Sequence, residues 1–450
     1  MSDDKKLLQI RSLELHNYRR FEKLAIAFDE KLTVLVAKNG CGKTAVLDAV
    51  AIALGPFVGV FGTVQSAQFH TSDVRRKLLE SSAGMRESEK QFPVKMFADG
   101  IIDGNQEKWE RMLSGDKSHT TYGGSRPLIN FGKHLQKQVQ TASVSVALPL
   151  ISYYGTGRLW GDMRFFTKRK ENLSRTAGYM LCLSGMSSYK IFAEWFERFH
   201  RAAFDERDNP LQLEKIQASL QAFKTAVNAI IEPLDWKNID FKGSKDGIIM
   251  EQASTGITLP VDWLSDGVRN MVALTADIAH RAIRLNSHLP AQEAIKTTQG
   301  IVLIDEIDMH LHPKWQQTIL PSLTRAFPSI QFIVTTHSPQ VITSVHKKHI
   351  RIINEDGALS DIADDMGTLG SESNRVLAEI FDVPPRPPVQ EEKLTQYLGL
   401  VEKRQHNTDE AIRLLEELQN ELGTGDKDLQ YAAMRIKQLD YLAKKNEENH

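Results

Sequence analysis

The sequence predicts an α/β protein: a mixed sheet plus a central parallel sheet with flanking helices. Three observations predict it. A glycine-containing loop, Asn39-Gly40-Cys41-Gly42-Lys43-Thr44, separates an apolar strand from a run of helix formers, Ala45 to Leu54. A short apolar strand, Gly300 to Ile304, ends in Asp305-Glu306, and a second, Ile330 to Thr335, ends in Thr336-His337-Ser338-Pro339. Between those two strands, Lys314 to Ala326 reads as the crossover helix that a parallel pair requires.

The remaining elements follow in order. Leu7 to Leu15 and Phe28 to Ala37 alternate or run apolar and read as strands that lead into the loop. Residues 55–142 show no sustained period and read as an irregular insertion. Val144 to Tyr154 reads as a strand. Within residues 170–232 the spacing of Phe192, Trp195, Phe196, Phe199, Leu213, Ile216, Leu220, Phe223 and Val227 is helical and predicts a helical arm. Leu264-Ser265-Asp266-Gly267 opens a helix that continues to about Leu285. The expected main domain, with its insertions, is residues 1–383, followed by a stiff proline linker, 384–390, carrying Pro384-Pro385-Arg386-Pro387-Pro388. Residues 391–450, heptad-like and densely charged, read as a helical hairpin that is either a solvated stabilising element or a surface for self-association or a partner.

Bulk properties narrow the class. The chain has 450 residues, 41% of them hydrophobic and 25% charged, so it is an ordinary globular chain and exceeds what one compact core usually holds. A formal charge of -1 excludes a surface that is basic all over and leaves only local patches for nucleic acid. Two cysteines, Cys41 and Cys182, exclude a disulfide framework. With no signal-peptide pattern and no apolar run of about 18 residues, the expectation is a cytoplasmic protein off the membrane.

The glycine loop matches GxxxxGK[ST] except at its first position, where Ala37 stands. Gly40 and Gly42 let backbone N–H groups turn toward phosphates, and the following helix aims its positive end at them. Lys43 is expected on the β and γ phosphates of ATP and Thr44 on Mg²⁺. At the end of the carboxylate strand, Asp305 is placed to hold Mg²⁺ and Glu306 to polarise the attacking water. His337 can reach the γ-phosphate. Ser265 and Gly267 would present a hydroxyl and a helix N-terminus to a phosphate. Each motif has a plainer reading: a glycine turn, a solvated strand cap, a surface histidine, an ordinary helix start. Their order, each on its expected element, points jointly to an ATPase using ATP and Mg²⁺.

At these residues the chain resembles the ABC-type ATPases of the SMC/RecF/OLD-like branch, in which an insertion separates the phosphate loop from a distant signature motif. The resemblance covers roughly Leu7 to Ile353. It implies an ABC-ATPase head and a head-to-tail dimer in which Ser265 and Gly267 of one subunit cap the nucleotide at Lys43 of the other. It also implies a γ-phosphate- and Mg²⁺-sensing glutamine, for which Gln68 is the candidate. More narrowly, Tyr153-Tyr154-Gly155-Thr156-Gly157-Arg158-Leu159-Trp160, the run from Ile304 to Pro313, and Thr335-Thr336-His337-Ser338-Pro339-Gln340 are similar to the antiphage ATPases of the PtuA family of Septu and of related retron systems. That resemblance implies a separate HNH nuclease partner of the PtuB kind, with no nuclease site in this chain. His310 and His312 beside Asp308 fall where the family has a subunit-contact loop and are not read as metal ligands. The alternative function is a RecF-like repair ATPase that binds duplex DNA through Arg75-Arg76-Lys77, Lys168-Arg169-Lys170 and Lys347-Lys348, runs that are equally read as solvated surface. A third reading is a nucleotide-gated scaffold with slow hydrolysis or none.

Overall fold

The computed structural model describes residues 5–38, 40–62, 67–80, 86–141, 145–159, 174–185, 189–243 and 247–448. The chain divides into two compact units, Met1–Ser371 and Glu372–His450.

In the first unit, β1 (Leu8–Tyr18) and β2 (Phe21–Ala27) pair antiparallel, and β3 (Leu32–Ala37) leads to α1 (Lys43–Gly59). A hairpin, β4 (Arg76–Glu80) and β5 (Arg86–Lys90), precedes β6 (Val94–Ile102) and β7 (Asn105–Leu113), and α2 (Arg126–Gln140) follows. Strands β2-β1-β6-β7 form one antiparallel sheet. This corrects the expectation that residues 55–142 are irregular. In β6, Val94, Met96 and Ala98 are buried while Lys95, Phe97 and Asp99 face outward, a period of two diluted by the charged outward positions.

The central sheet has the order β15-β14-β3-β13-β12-β8, drawn from β8 (Leu150–Tyr154), β12 (Gly300–Ile304), β13 (Ile330–Thr336), β14 (Ile350–Ile353) and β15 (Leu359–Ser360). Strands β8, β12, β13, β3 and β14 run parallel, with β15 antiparallel at the edge. Every residue of β3, β8, β12 and β13 is buried, as expected of parallel strands covered on both faces. Helix α1 is apolar nearly all round and touches both this sheet and strands β6 and β7 of the antiparallel one, so it is packed between them. Strand β8 begins at Leu150 rather than Val144, which lies outside the described residues.

The arm region holds α3 (Tyr189–Asp205) and α4 (Pro210–Ile231), capped by Asn209. A small sheet follows, β9 (Trp236–Phe241), β10 (Ile248–Gln252) and β11 (Thr258–Pro260), and then α5 (Asp266–Leu285), which packs against α3, α4 and β8. Helix α6 (Ala291–Thr297) leads to β12. The expected crossover helix is two pieces, α7 (Pro313–Gln316) and α8 (Ile319–Ala326), and the short α9 (Pro339–Ile342) follows β13.

Helix α5 carries a histidine in an apolar setting. His280 is fully buried, its ring 4.7 Å from that of Trp195, and neither ring nitrogen finds a hydrogen-bond partner among the described residues. Burial pushes its pKa down to about 3; Arg281, Arg284 and Arg198 act in the same direction, and Asp277 opposes them. The unfolded chain therefore takes up this proton near the ordinary histidine value while the folded chain does not. Stability from neutral His280 is complete above about pH 6.5 and is lost as pH falls toward 3, by up to about 1.4 kcal/mol per pH unit. Urea melts at pH 7.5 and 5.5 should differ by roughly 1 kcal/mol more for wild type than for His280→Leu. Equal differences in the two proteins would remove His280 as the cause.

The second unit is a set of helices: α10 (Ser373–Phe381), α11 (Pro388–Glu402), α12 (Asp409–Leu422) and α13 (Lys427–Glu448). Leu394, Tyr397, Val401, Ala411, Leu418, Leu429, Ala432 and Leu439 form its core. Residues 391–450, expected as a helical hairpin, instead form three helices, because the chain breaks where Arg404 takes a positive φ and Thr408 caps α12. The proline run is not a bare linker. Pro388 occupies the first turn of α11, where its missing N–H costs nothing, and Arg386 bonds the carboxylates of Asp426 and Asp428.

Candidate nucleotide site

Strands β3, β12 and β13 deliver the sequence-singled residues to one edge of the parallel sheet, the carboxyl ends where ligands of open α/β sheets bind. Asn39 lies outside the described residues. Gly40 and Gly42 both take positive φ, +75° and +97°. At Gly42 a Cβ would also lie 2.5 Å from the Phe21 ring, so this position excludes any side chain. Ala37, the departure from the full motif, is the last residue of β3 and pairs with Ile353 in extended backbone, where glycine offers no advantage. Cys41 is buried in the loop and its N–H donates to the Lys38 carbonyl at 3.2 Å. Helix α1 opens at Gly42 with no side-chain cap and no acidic residue in its first turn, so its positive end meets no carboxylate of its own first turn.

The Lys43 ammonium is buried and donates to the Ala37 carbonyl at 3.0 Å. Burial lowers its pKa, while Asp305, Cys41, Glu306 and Asp308 pull it back up, so these groups surround one cation. Thr44 Oγ1 donates to Asp305 Oδ2 at 2.7 Å. Thr335, which the sequence reading did not single out, holds the carboxylate strand from the side. Its hydroxyl donates to Asp305 Oδ1 at 2.6 Å and accepts the Glu306 N–H at 2.7 Å. Glu306 itself sits at φ +47°, a conformation rare outside glycine, at the point where the chain leaves the strand. Thr336 donates to Asp308 Oδ1 at 2.6 Å and so fixes the next carboxylate.

His337 follows β13 and is half-buried; burial first, then Lys43, lowers its pKa against the opposing pull of Asp308 and Asp305, which leaves a neutral imidazole at neutral pH. Ser265 is the N-cap residue of α5 but makes no side-chain cap bond and is exposed. Gly267 is buried, and a Cβ there would lie 2.2 Å from the His310 carbonyl oxygen. Gln68 does not join this cluster in the way expected of a sensing glutamine: it is exposed and its amide donates to the Tyr122 hydroxyl at 2.9 Å. His312 accepts the Lys314 N–H and caps α7. Among the described residues no group of three or more His, Cys, Asp or Glu is placed to hold a metal ion by itself.

Two adjacent tyrosines, which the sequence marks only through a resemblance, tie the site together. Strand β8 runs in register with β12, and the Asp305 N–H donates to the Tyr154 carbonyl at 2.8 Å. Successive strand residues face opposite ways, so Tyr153 and Tyr154 reach different helices. Tyr153 donates to Asp48 of α1 at 2.8 Å, and Asp48 pairs with Arg19 at 2.7 Å. Tyr154 donates to Asp277 of α5 at 2.7 Å, and Asp277 pairs with Arg281 at 2.8 Å. The phosphate-loop helix and the Ser265 helix are thereby joined through one strand. Gly155 and Thr156 follow Tyr154 in the chain; the Arg158 side chain and Trp160 lie outside the described residues.

Comparison with known proteins fits this geometry. A family model described as "AAA domain" matches residues 12–232, and one described as "AAA domain, putative AbiEii toxin, Type IV TA system" matches residues 182–343. The chain is an ATPase. The Retron Ec83 probable ATPase of Escherichia coli is 28% identical to this ATPase over 489 residues, covering 94% of this chain and 85% of the relative. The Septu protein PtuA of Bacillus thuringiensis is 22% identical over 339 residues, covering 75% and 73%. Among solved structures, an Smc head bound to the C-terminal winged-helix domain of ScpA aligns with 79% of the ATPase and 98% of that chain, at 17% identity and a TM-score of 0.45. No helix among the described residues of the ATPase is long and apolar enough to cross a membrane. One residue in each of two basic runs is engaged within the fold: Arg75 pairs with Glu22, and Lys347 donates to the carbonyls of Ala363 and Asp364. The third, residues 168–170, lies outside the described residues.

Proposed function

We propose that this ATPase is the ATP-hydrolysing regulatory subunit of a cytoplasmic antiphage complex. Two copies act head to tail, and a separate HNH nuclease of the PtuB kind cuts nucleic acid under their control. The reading is supported by the retron and Septu relatives and is carried by one observation: Thr44 Oγ1 lies 2.7 Å from Asp305 Oδ2, although 261 residues separate them in the chain. That is the juxtaposition a nucleotide-bound Mg²⁺ needs, a hydroxyl and a carboxylate oxygen at the foot of a phosphate loop.

Thr44 and Asp305 would hold Mg²⁺. Bound there, Mg²⁺ would supply positive charge to offset the negative charge of the phosphates. Lys43 would exchange its Ala37 carbonyl for phosphate oxygens, an exchange that favours the charged amine. The Glu306 carboxylate orients water and accepts its proton as the water oxygen bonds to the γ-phosphorus and ADP departs. Neutral His337 can donate a hydrogen bond to the γ-phosphate. Ser265, exposed and making no side-chain cap bond among the described residues, is available to the nucleotide of a second copy.

Phosphate release by wild type and Asp305→Asn, titrated with Mg²⁺, tests the chemistry. Wild type is expected to hydrolyse ATP and the variant to lose about 10²-fold or more. Co-purification with an HNH protein encoded beside it tests the assembly. A wild type that releases no phosphate at any Mg²⁺ concentration would end the ATPase mechanism. Salt-sensitive duplex binding with no nuclease partner would favour the RecF-like alternative.

A further inference from the structure

The segment just before Ser265 has no role in the site described above. Strand β11 passes into a single 3-10 turn, Val261–Trp263, and then Leu264. Val261 and Leu264 are buried at 1% and 6% exposure and pin the turn at both ends. Between them Trp263 is 76% exposed, the most exposed of the large hydrophobic side chains among the described residues. Trp109, Trp195 and Trp236 are buried by contrast, so the exposure is particular to this position. A rigidly presented indole surrounded by solvent is the residue type that anchors protein interfaces. Asp262 beside it is also exposed and acidic.

The rim of the phosphate loop has the complementary character. Arg20 donates to the carbonyls of Gly40 and Glu355, which fixes its guanidinium over the loop. Lys38 is 47% exposed and pairs with Glu355 at 3.4 Å. A cation held over an aromatic face, with a carboxylate next to it, is a favourable contact that each surface alone leaves unmade.

We infer that Trp263 and Asp262 of one copy dock on the Arg20 and Lys38 rim of a second copy's phosphate loop. The inference rests on the head-to-tail reading and deepens it. Trp263 anchors the contact through apolar burial and its π-face, Asp262 sets the orientation, and Ser265, two residues on, is carried to the nucleotide. ATP-dependent association thus depends on a side chain that touches no phosphate.

The test uses the full chain carrying Glu306→Gln, so that bound ATP persists, and reads mass by light scattering with ATP and Mg²⁺. Adding Trp263→Ala is expected to weaken ATP-dependent dimerisation by about tenfold or more, with Trp263→Phe retaining most of it. Asp262→Lys should weaken it by a smaller factor that shrinks at high salt. Unchanged ATP binding by the monomers shows that the variants fold. Ser265→Arg in the same background separates the two ideas. If Ser265→Arg abolishes the dimer while Trp263→Ala dimerises within twofold of its parent, this inference is overturned and the head-to-tail reading stands. If the parent does not associate with ATP at all, both fall. Loss of DNA binding by Trp263→Ala with dimerisation intact would also overturn it and give the indole to a nucleic-acid base.

Discussion

Glu306→Gln is expected to lower kcat for ATP hydrolysis by about 10²- to 10⁴-fold while leaving ATP affinity near that of wild type. The substitution is nearly isosteric, so the backbone that holds residue 306 at φ +47° and donates its N–H to Thr335 has no reason to move. What it removes is the capacity to accept a proton from water. Lys43, Thr44 and Asp305 keep their partners, and with them the groups proposed to bind nucleotide and cation. Lys43→Ala should do the opposite, lowering affinity first, because the buried ammonium is the cation of the loop. Single-turnover phosphate release at saturating ATP, measured beside nucleotide binding, separates the two effects. A Glu306→Gln protein that keeps more than half of wild-type turnover would remove Glu306 from the role of base and send the search to His337 or Asp308.

Legibility in the sequence followed the locality of the signal. The phosphate loop and the strands ending in Asp305 and His337 are contiguous motifs on strongly apolar strands, and both their type and their convergence could be read directly. Strands β6 and β7 of the antiparallel sheet are hard to read because half of each faces water. Charges at Lys95, Asp99, Lys108 and Glu110 lower the mean hydropathy, although the alternation at Val94, Met96 and Ala98 was present. Thr335, Asp48 and Asp277 were invisible for a different reason: each acts through a partner distant in sequence, as Tyr153 does with Asp48 and Tyr154 with Asp277. A pair of tyrosines in a strand buried along its whole length was the available clue, since each buried hydroxyl needs a partner on its own face. Gln68 shows the same point in reverse: it is a candidate by residue type alone, without a strand to deliver it, and its amide donates to Tyr122. In the C-terminal unit, heptad spacing ran on through a helix break because Thr408 caps the next helix without interrupting the apolar pattern.

The two residues expected to form the signature motif differ in what they do within their own chain. Sequence alone gives Gly267 the task of baring a helix N-terminus to a phosphate, yet within its own chain Gly267 also lets α5 approach the loop after Glu306. A Cβ there meets the His310 carbonyl oxygen at 2.2 Å and lies 3.6 Å from the Leu311 Cα, backbone atoms that cannot swing aside. His310 is already at a positive φ, so the loop has little freedom to yield. Gly267→Ala is therefore expected to destabilise the monomer by about 1–3 kcal/mol and to disturb the residues that follow Glu306, lowering hydrolysis even before two copies meet. Ser265→Ala should behave differently. Its hydroxyl makes no cap bond and is exposed, so folding stability should change by less than about 0.5 kcal/mol, while ATP-dependent dimerisation and turnover fall together. Denaturant melts of the nucleotide-free proteins, set beside hydrolysis rates across a protein dilution series, distinguish the cases. Gly267→Ala with wild-type stability would mean that α5 and the His310 loop can separate cheaply. The close approach would then be a feature of one conformation, and the glycine would be required only by the second copy's phosphate.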